Sequence, residues 1–96
     1  MIYNLSFHSS ALKDWKKLDN DVQNQFKKIL ERRLVETHVV AAKLTGSLKF
    51  CYKIKLRQSG YRLVYQVDDG RLFVLVIAVG KRNKNDAYND AVDRVH

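Results

Sequence analysis

The amino-acid sequence predicts an α+β fold: a small four-stranded antiparallel sheet, in chain order β-α-α-β-β-β-α, with two N-terminal helices packed on one face and a C-terminal helix. Three observations predict it. Apolar and polar residues alternate at the start of the chain and again beyond residue 50, which is the period of a strand. Between Ser9 and Glu36 the apolar residues instead recur every three or four positions, which is the period of a helix. The later strands follow one another through tight turns, so they run antiparallel and stand apart from the helices rather than alternating with them.

The elements follow in order. Ile2 to Phe7 sets Tyr3, Leu5 and Phe7 against Asn4 and Ser6, a short strand with one buried face, and His8 ends it. Ser9 or Ser10 offers a cap for a first helix with Leu12, Trp15 and Leu18 on its apolar side. Lys13, Lys16 and Lys17 lie on its other side, either as a solvated face or as an outer grip on phosphates. Asn20 and Gln23 fit a capping box for a second, longer helix carrying Val22, Phe26, Ile29, Leu30, Arg33 and Leu34. Past Glu36 the β-branched Thr37, Val39 and Val40 weaken helix, and Thr45-Gly46-Ser47 is turn chemistry. His38 falls in this connection without an evident partner.

A β-hairpin over Cys51 to Gln66 comes next. Tyr52, Ile54 and Leu56 alternate with Lys53, Lys55 and Arg57, and Tyr61, Leu63 and Tyr65 alternate with Arg62, Val64 and Gln66. Placing both apolar rows on one face sets Ile54 opposite Leu63 and Lys55 opposite Arg62, because a one-residue slip would turn one row to water. Two cations directly across a sheet repel. A sequence that places them there, flanked by Lys53 and Arg57, either presents a solvated face or calls for an anion. Asp68-Asp69-Gly70 is a further turn, and Leu72 to Val79 is apolar throughout, as a strand covered on both faces must be. Gly80-Lys81-Arg82 ends it. Asn83 or Asn85 caps a last helix whose stripe, Ala87, Tyr88, Ala91, Val92 and Val95, is thin and rich in alanine, which makes it the least stable element.

Ninety-six residues provide for one domain, 1–96, and a hydrophobic content of 46% argues against disorder. The formal charge of +8 points to an anionic polymer as partner, nucleic acid ahead of membrane. That charge is uneven: Lys49 to Arg82 carries eight cations against Asp68 and Asp69, six of the eight net charges. The single cysteine, Cys51, allows no internal disulfide. With no signal-peptide pattern and no apolar run of about twenty residues, a cytoplasmic protein with no membrane association is expected. The sequence has no phosphate-binding glycine loop, nucleophile elbow or C-x-x-C pair, so no metal or cofactor is expected. His8, His38 and His96 are too scattered for paired-histidine chemistry.

What converges is Lys53, Lys55, Arg62, Arg82 and one aromatic, Tyr88, on the first turn of the last helix. Cations for phosphates and a ring on which a base can stack are the parts that hold a single RNA strand. Fixed cations also stabilise the charge that builds on a phosphorane when the neighbouring 2′-OH attacks. Crowding among the cations lowers the affinity of Lys53 or Lys55 for its proton, as a base requires. By spacing alone, Tyr88 also fits as a core residue of the helix stripe.

K-K-L at Lys16 to Leu18, A-x-K-L-x-G at Ala41 to Gly46, C-Y-K-I-K-L-R-x-S-G-Y-R-L-V-Y-Q-V at Cys51 to Val67, V-G-K-R at Val79 to Arg82 and A-Y-x-x-A at Ala87 to Ala91 together resemble the RelE toxins of bacterial toxin–antitoxin modules. The resemblance runs nearly end to end. It implies a ribosome-dependent endoribonuclease (mRNA interferase) that cuts mRNA in the A site of the 30S subunit against 16S rRNA, inhibits translation, and is neutralised by a RelB-like antitoxin. Operator DNA would be met only through the antitoxin complex. The family's catalytic residues fall on Lys53, Lys55, Arg62, Arg82 and Tyr88. The resemblance implies that Tyr88 stacks on a codon base, that Arg62 and Arg82 stabilise the phosphate, with Arg82 also a candidate acid, and that Lys53 and Lys55 supply or tune the base. Products would be a 2′,3′-cyclic phosphate or 3′-phosphate and a 5′-OH. Lys13, Lys16, Lys17, Arg57 and Lys81 would contact RNA or ribosome. The third position of K-L-x-G, often arginine in the family, is Thr45 here. The alternative is a ParE-like toxin, which shares the fold and inhibits DNA gyrase without cleaving RNA.

Overall fold

A computed structural model describes residues 2–81 and 86–95. Its elements are β1 (Asn4–Phe7), α1 (Ser9–Lys16), α2 (Asn20–Arg33), two short 3-10 turns (Val40–Ala42 and Gly46–Leu48), β2 (Cys51–Lys55), β3 (Tyr61–Asp68), β4 (Phe73–Lys81) and α3 (Asp86–Arg94). The sheet has the order β1-β4-β3-β2, so the uniformly apolar β4 is internal, as its composition requires. One part of the expectation is corrected. The sheet is mixed rather than wholly antiparallel, because β1 pairs parallel to β4, Leu5 against Val74 and Phe7 against Val76. The rule that tight turns join antiparallel strands governs β2, β3 and β4; β1 reaches β4 only through the helices and the rest of the sheet.

The hairpin register is the expected one, with Ile54 opposite Leu63 and Lys55 opposite Arg62. The loop between β2 and β3 closes with Gly60 at φ +76, a left-handed conformation that glycine adopts without steric cost. β3 and β4 slip register between Val64 and Tyr65, so Ile77 is the extra residue of a bulge.

The two faces of the sheet bury different cores. Tyr52, Ile54, Leu63, Tyr65, Val74 and Val76 pack against Ala11 and Trp15 of α1 and Val22, Phe26 and Leu30 of α2. The opposite face buries Cys51, Val64, Ile77 and Ala78 under Ala87 and Ala91 of α3. Two details of the helix stripes differ from the sequence pattern. Leu12 is 37% exposed while Ala11 is fully buried, and Val92 is 46% exposed, so α3 rests on its two alanines.

The caps also differ by one residue. His8 rather than Ser9 or Ser10 caps α1, its Nδ1 accepting from the Ser10 N–H at 3.2 Å. Asp19 rather than Asn20 precedes α2 and makes no side-chain cap bond; Gln23 instead donates to the Trp15 carbonyl at 2.8 Å and ties the two helices together. An imidazole acceptor does the work usually assigned to serine, and a helix–helix contact takes the side chain that a capping box would use. Asn83 and Asn85, the proposed caps of the last helix, lie outside the described residues.

Candidate RNA-cleavage site

The site is built on the face that α3 only partly covers. Side chains two apart on a strand share a face, so Lys53 and Lys55 project together from β2, and Arg62 of β3 stands directly across from Lys55. Lys53 and Arg62 are half-buried and Lys55 is exposed. α3 runs above them, and the Arg62 guanidinium carbon lies 5.2 Å from the centroid of the Tyr88 ring, within cation–π range. Tyr88 is half-buried against the alanine-lined core, so it is both a packing residue and an exposed edge of the site. A hollow of about 300 Å³ lies beside the pair, lined by Lys55, Leu56, Arg57, Gly60, Tyr61 and Arg62.

Three cations in so small a space act on one another. Lys55 has its pKa lowered, first by the charge of Lys53 and then by that of Arg62, with smaller contributions from slight desolvation and from Arg57. Arg62 Nε is buried and has no hydrogen-bond partner among the described residues. A buried donor without a partner is costly, and here it belongs to a guanidinium that borders the hollow.

The remaining candidates do not all join this cluster. Arg57 sits in the hairpin loop, exposed, at the rim of the hollow. Lys81 is opposite Tyr61 with its Nζ 5.8 Å from that ring's centroid, which places it with the apolar row on the other face. Lys13, Lys16 and Lys17 are exposed on and just after α1, which packs against the opposite face. Arg82 lies outside the described residues.

Two groups that the sequence pattern left without a role make contacts that fasten the fold. Arg94 of α3 donates from Nη1 to the Ile77 carbonyl at 2.9 Å and pairs with Asp14 of α1 at 3.3 Å and Asp90 at 3.6 Å. The only cue in the sequence is a cation in the last turn of a short helix. His38 pairs through Nε2 with Asp69 at 2.9 Å, and Tyr3 donates its hydroxyl to the same carboxylate. Nothing in the sequence relates residues so far apart; the β3–β4 turn brings Asp69 to them.

A second, larger hollow of about 650 Å³, lined by Ser6, Phe50, Gln66, Asp68, Arg71, Phe73 and Leu75 among others, opens elsewhere on the sheet. Among the described residues that line it there is one cation, Arg71, paired at 4.0 Å with Asp68, too little charge to hold phosphates. Volume and chemistry point to different places, and the chemistry of Lys55 and Arg62 decides for the smaller.

Residues 5–86 match the family described as the ParE toxin of the type II toxin–antitoxin system parDE. The chain is 50% identical over 95 residues to the mRNA interferase toxin RelE of Escherichia coli strain K12, covering 99% of each. The chain belongs to the RelE toxins of the RelE/ParE family. A free-state structure of a doubly substituted E. coli toxin RelE superposes with a TM-score of 0.91 at 49% identity, covering 100% of both chains. The toxin of the intact E. coli RelBE toxin–antitoxin complex superposes with a TM-score of 0.79 at 53% identity, over 82% of this chain and 95% of that one. Identity of this extent places the chain with the RelE branch rather than with ParE proper. The three-helix, four-strand order of this RelE-like toxin is thus the order of its relatives.

Proposed function

We propose that this RelE-like toxin is an endoribonuclease that cuts mRNA in the ribosomal A site and is held inactive by a RelB-like antitoxin. The observation that carries the reading is the juxtaposition of Arg62, Lys55 and Tyr88: a guanidinium whose buried Nε has no partner among the described residues, a lysine of weakened proton affinity and an aromatic ring, all on one open face. A relative that is half identical end to end carries the name mRNA interferase, and another is solved with its antitoxin.

In the proposed reaction the 2′-oxygen forms a bond to phosphorus as the bond to the 5′-oxygen breaks. Lys55, or Lys53 acting with it, takes the 2′-OH proton, and the repulsion of Lys53 and then of Arg62 favours the neutral form of the Lys55 amine. Arg62 donates to the phosphorane oxygens, where charge is greater in the transition state than in the substrate. Arg82, next in the chain after β4, shares that task and is the candidate acid for the leaving oxygen. Tyr88 stacks on a base. The products are a 2′,3′-cyclic phosphate, or the 3′-phosphate formed when it opens, and a 5′-OH end.

Dependence on the ribosome follows from what the face lacks. Among the described residues it offers charge and stacking but little that reads bases, so a translating ribosome would present the strand, with Lys13, Lys16, Lys17, Arg57 and Lys81 meeting ribosomal RNA from several sides. Primer extension on a translated message with purified toxin, followed by end-group analysis, tests the whole reading. Cuts confined to A-site codons with 5′-OH ends are expected; the absence of cuts, or undiminished cutting by the Lys55→Ala, Arg82→Ala double variant, would overturn it. A DNA gyrase supercoiling assay with the same protein is expected to show no inhibition.

A further inference from the structure

Arg33, the last residue of α2, reaches around the edge of the sheet to the strand that carries the two lysines. In an antiparallel pair, alternate residues of an edge strand turn their peptide groups away from the partner. Leu56 donates to the Tyr61 carbonyl at 2.9 Å, so Leu56, Ile54 and Tyr52 face β3, while Cys51, Lys53 and Lys55 face outward. The Cys51 carbonyl is taken by the Leu44 N–H at 3.0 Å. The next outward carbonyl, that of Lys53, accepts from Arg33 Nη1 at 3.4 Å.

The guanidinium is itself fixed. The same Nη1 donates to the Tyr65 hydroxyl at 3.0 Å, and that hydroxyl donates to the Thr37 carbonyl at 2.9 Å. The guanidinium carbon lies 5.8 Å from the centroid of the Tyr65 ring, which stacks on Tyr52 of β2 at 5.5 Å and 17°. One side chain thus joins α2, the core of β3 and the backbone of β2 beside Lys53.

We propose that Arg33 is a positioning residue for RNA cleavage, tethering the Lys53 peptide so that Lys53 and Lys55 stay close to one another and to Arg62. This rests on the nuclease reading above. The tether has a load to bear: Lys53, Lys55 and Arg62 repel, and β2 is an edge strand that can yield outward. Arg33 lies behind the sheet and touches no substrate, so its effect is felt through the lysines. Small displacements of reacting groups reduce rate more than binding.

The test compares native protein with Arg33→Met, Arg33→Lys and Tyr65→Phe. With translating ribosomes, Arg33→Met is expected to lower kcat about tenfold at unchanged KM, Arg33→Lys about threefold because the ammonium keeps the charge and the donors but not the planar guanidinium that lies over Tyr65, and Tyr65→Phe by a similar small factor. The second measurement needs no ribosome. NMR titration of the Lys55 Nζ in isolated protein reads its spacing from the groups that face it, Lys53, Arg62 and Arg57, with the Tyr88 ring of α3 over Arg62. Arg33→Met is expected to move that titration back up toward the ordinary lysine value. A folded Arg33→Met with native kcat and a native Lys55 titration would reduce Arg33 to packing. Should that variant fail to fold, native values of both quantities in Arg33→Lys would do the same. If native toxin makes no cuts, the nuclease reading fails, and the titration alone still decides whether Arg33 sets the lysine geometry.

Discussion

Arg94 Nη1 lies 2.9 Å from the carbonyl of Ile77, the residue that the bulge in β4 leaves unpaired with β3. A defect in the ladder thereby becomes the anchor point of α3. The helix needs one, since its buried contacts are mainly Ala87 and Ala91, and an isolated helix of nine residues is marginal in water. Arg94 is 17% exposed and also holds Asp14 of α1. Arg94→Ala should destabilise the protein by about 2 kcal/mol, the scale of a lost charged hydrogen bond with its acceptors left behind. Denaturant titration measures that loss. Hydrogen exchange should show amides of residues 87–95 losing protection while those of β3 and β4 keep theirs, and cleavage should fall with the displaced Tyr88.

The cationic face weakens the sheet that carries it. Lys55 has a pKa below its ordinary value because Lys53 and Arg62 repel its charge. The folded protein therefore binds fewer protons than the unfolded chain between that depressed value and about 10.4, so stability rises with pH across this window. Below it the penalty is present in full. Lys55→Gln should accordingly raise the melting temperature at neutral pH and lose cleavage, and its thermal advantage should vanish above about pH 10.4. Added salt should narrow the difference by screening exposed charges. A melting temperature equal to or below native at pH 7 and low salt would contradict this account of the pair.

Asp69 gives the opposite dependence. Its carboxylate is held below the usual value mainly by the hydrogen bond from Tyr3, against an opposing desolvation and with His38 adding to the lowering. A depressed carboxyl contributes stability that is complete above its unfolded pKa of about 3.9 and is lost as pH falls through the folded value. Asp69→Asn should be less stable than native at pH 6, and the two melting curves should converge as pH falls through the depressed carboxyl value of folded Asp69. Equal acid sensitivity in the two proteins would mean that the Tyr3–Asp69–His38 cluster carries no stability.

The sequence made the hairpin, its register and the placement of Lys53, Lys55 and Arg62 legible because period-2 alternation leaves only one pairing that buries both apolar rows. It made the segregation of the helices legible for the same kind of reason. It did not show the parallel β1–β4 pair, because no local pattern encodes which distant strand becomes a neighbour. It did not show Arg33, Arg94 or the Tyr3–Asp69–His38 cluster either. Each has a partner 17 or more residues away, and only the assembled fold brings them together. Tyr88 stood between two readings, core and site; it packs against the alanine-lined core and its ring centroid lies 5.2 Å from the Arg62 guanidinium carbon.

Cys51 supplies a reporter for the helix that carries Tyr88. Its thiol is buried beneath α3 with Ala87 and Ala91, and burial pushes its pKa up to about 11. At neutral pH the thiolate is scarce and shielded, so a thiol reagent should modify native protein only as fast as α3 opens. Arg94→Ala should speed that modification at least tenfold, the factor expected when opening becomes easier by about 1.4 kcal/mol. The same rate tests how a RelB-like antitoxin inactivates the toxin. An antitoxin segment that displaces α3 and takes its place on the sheet should remove the Tyr88 platform, raise exchange across residues 87–95 and cover Cys51 itself, so amide protection and thiol access should fall together. An antitoxin that only caps the closed site should slow thiol modification while leaving those amides as protected as in the free toxin, and that outcome would rule out displacement.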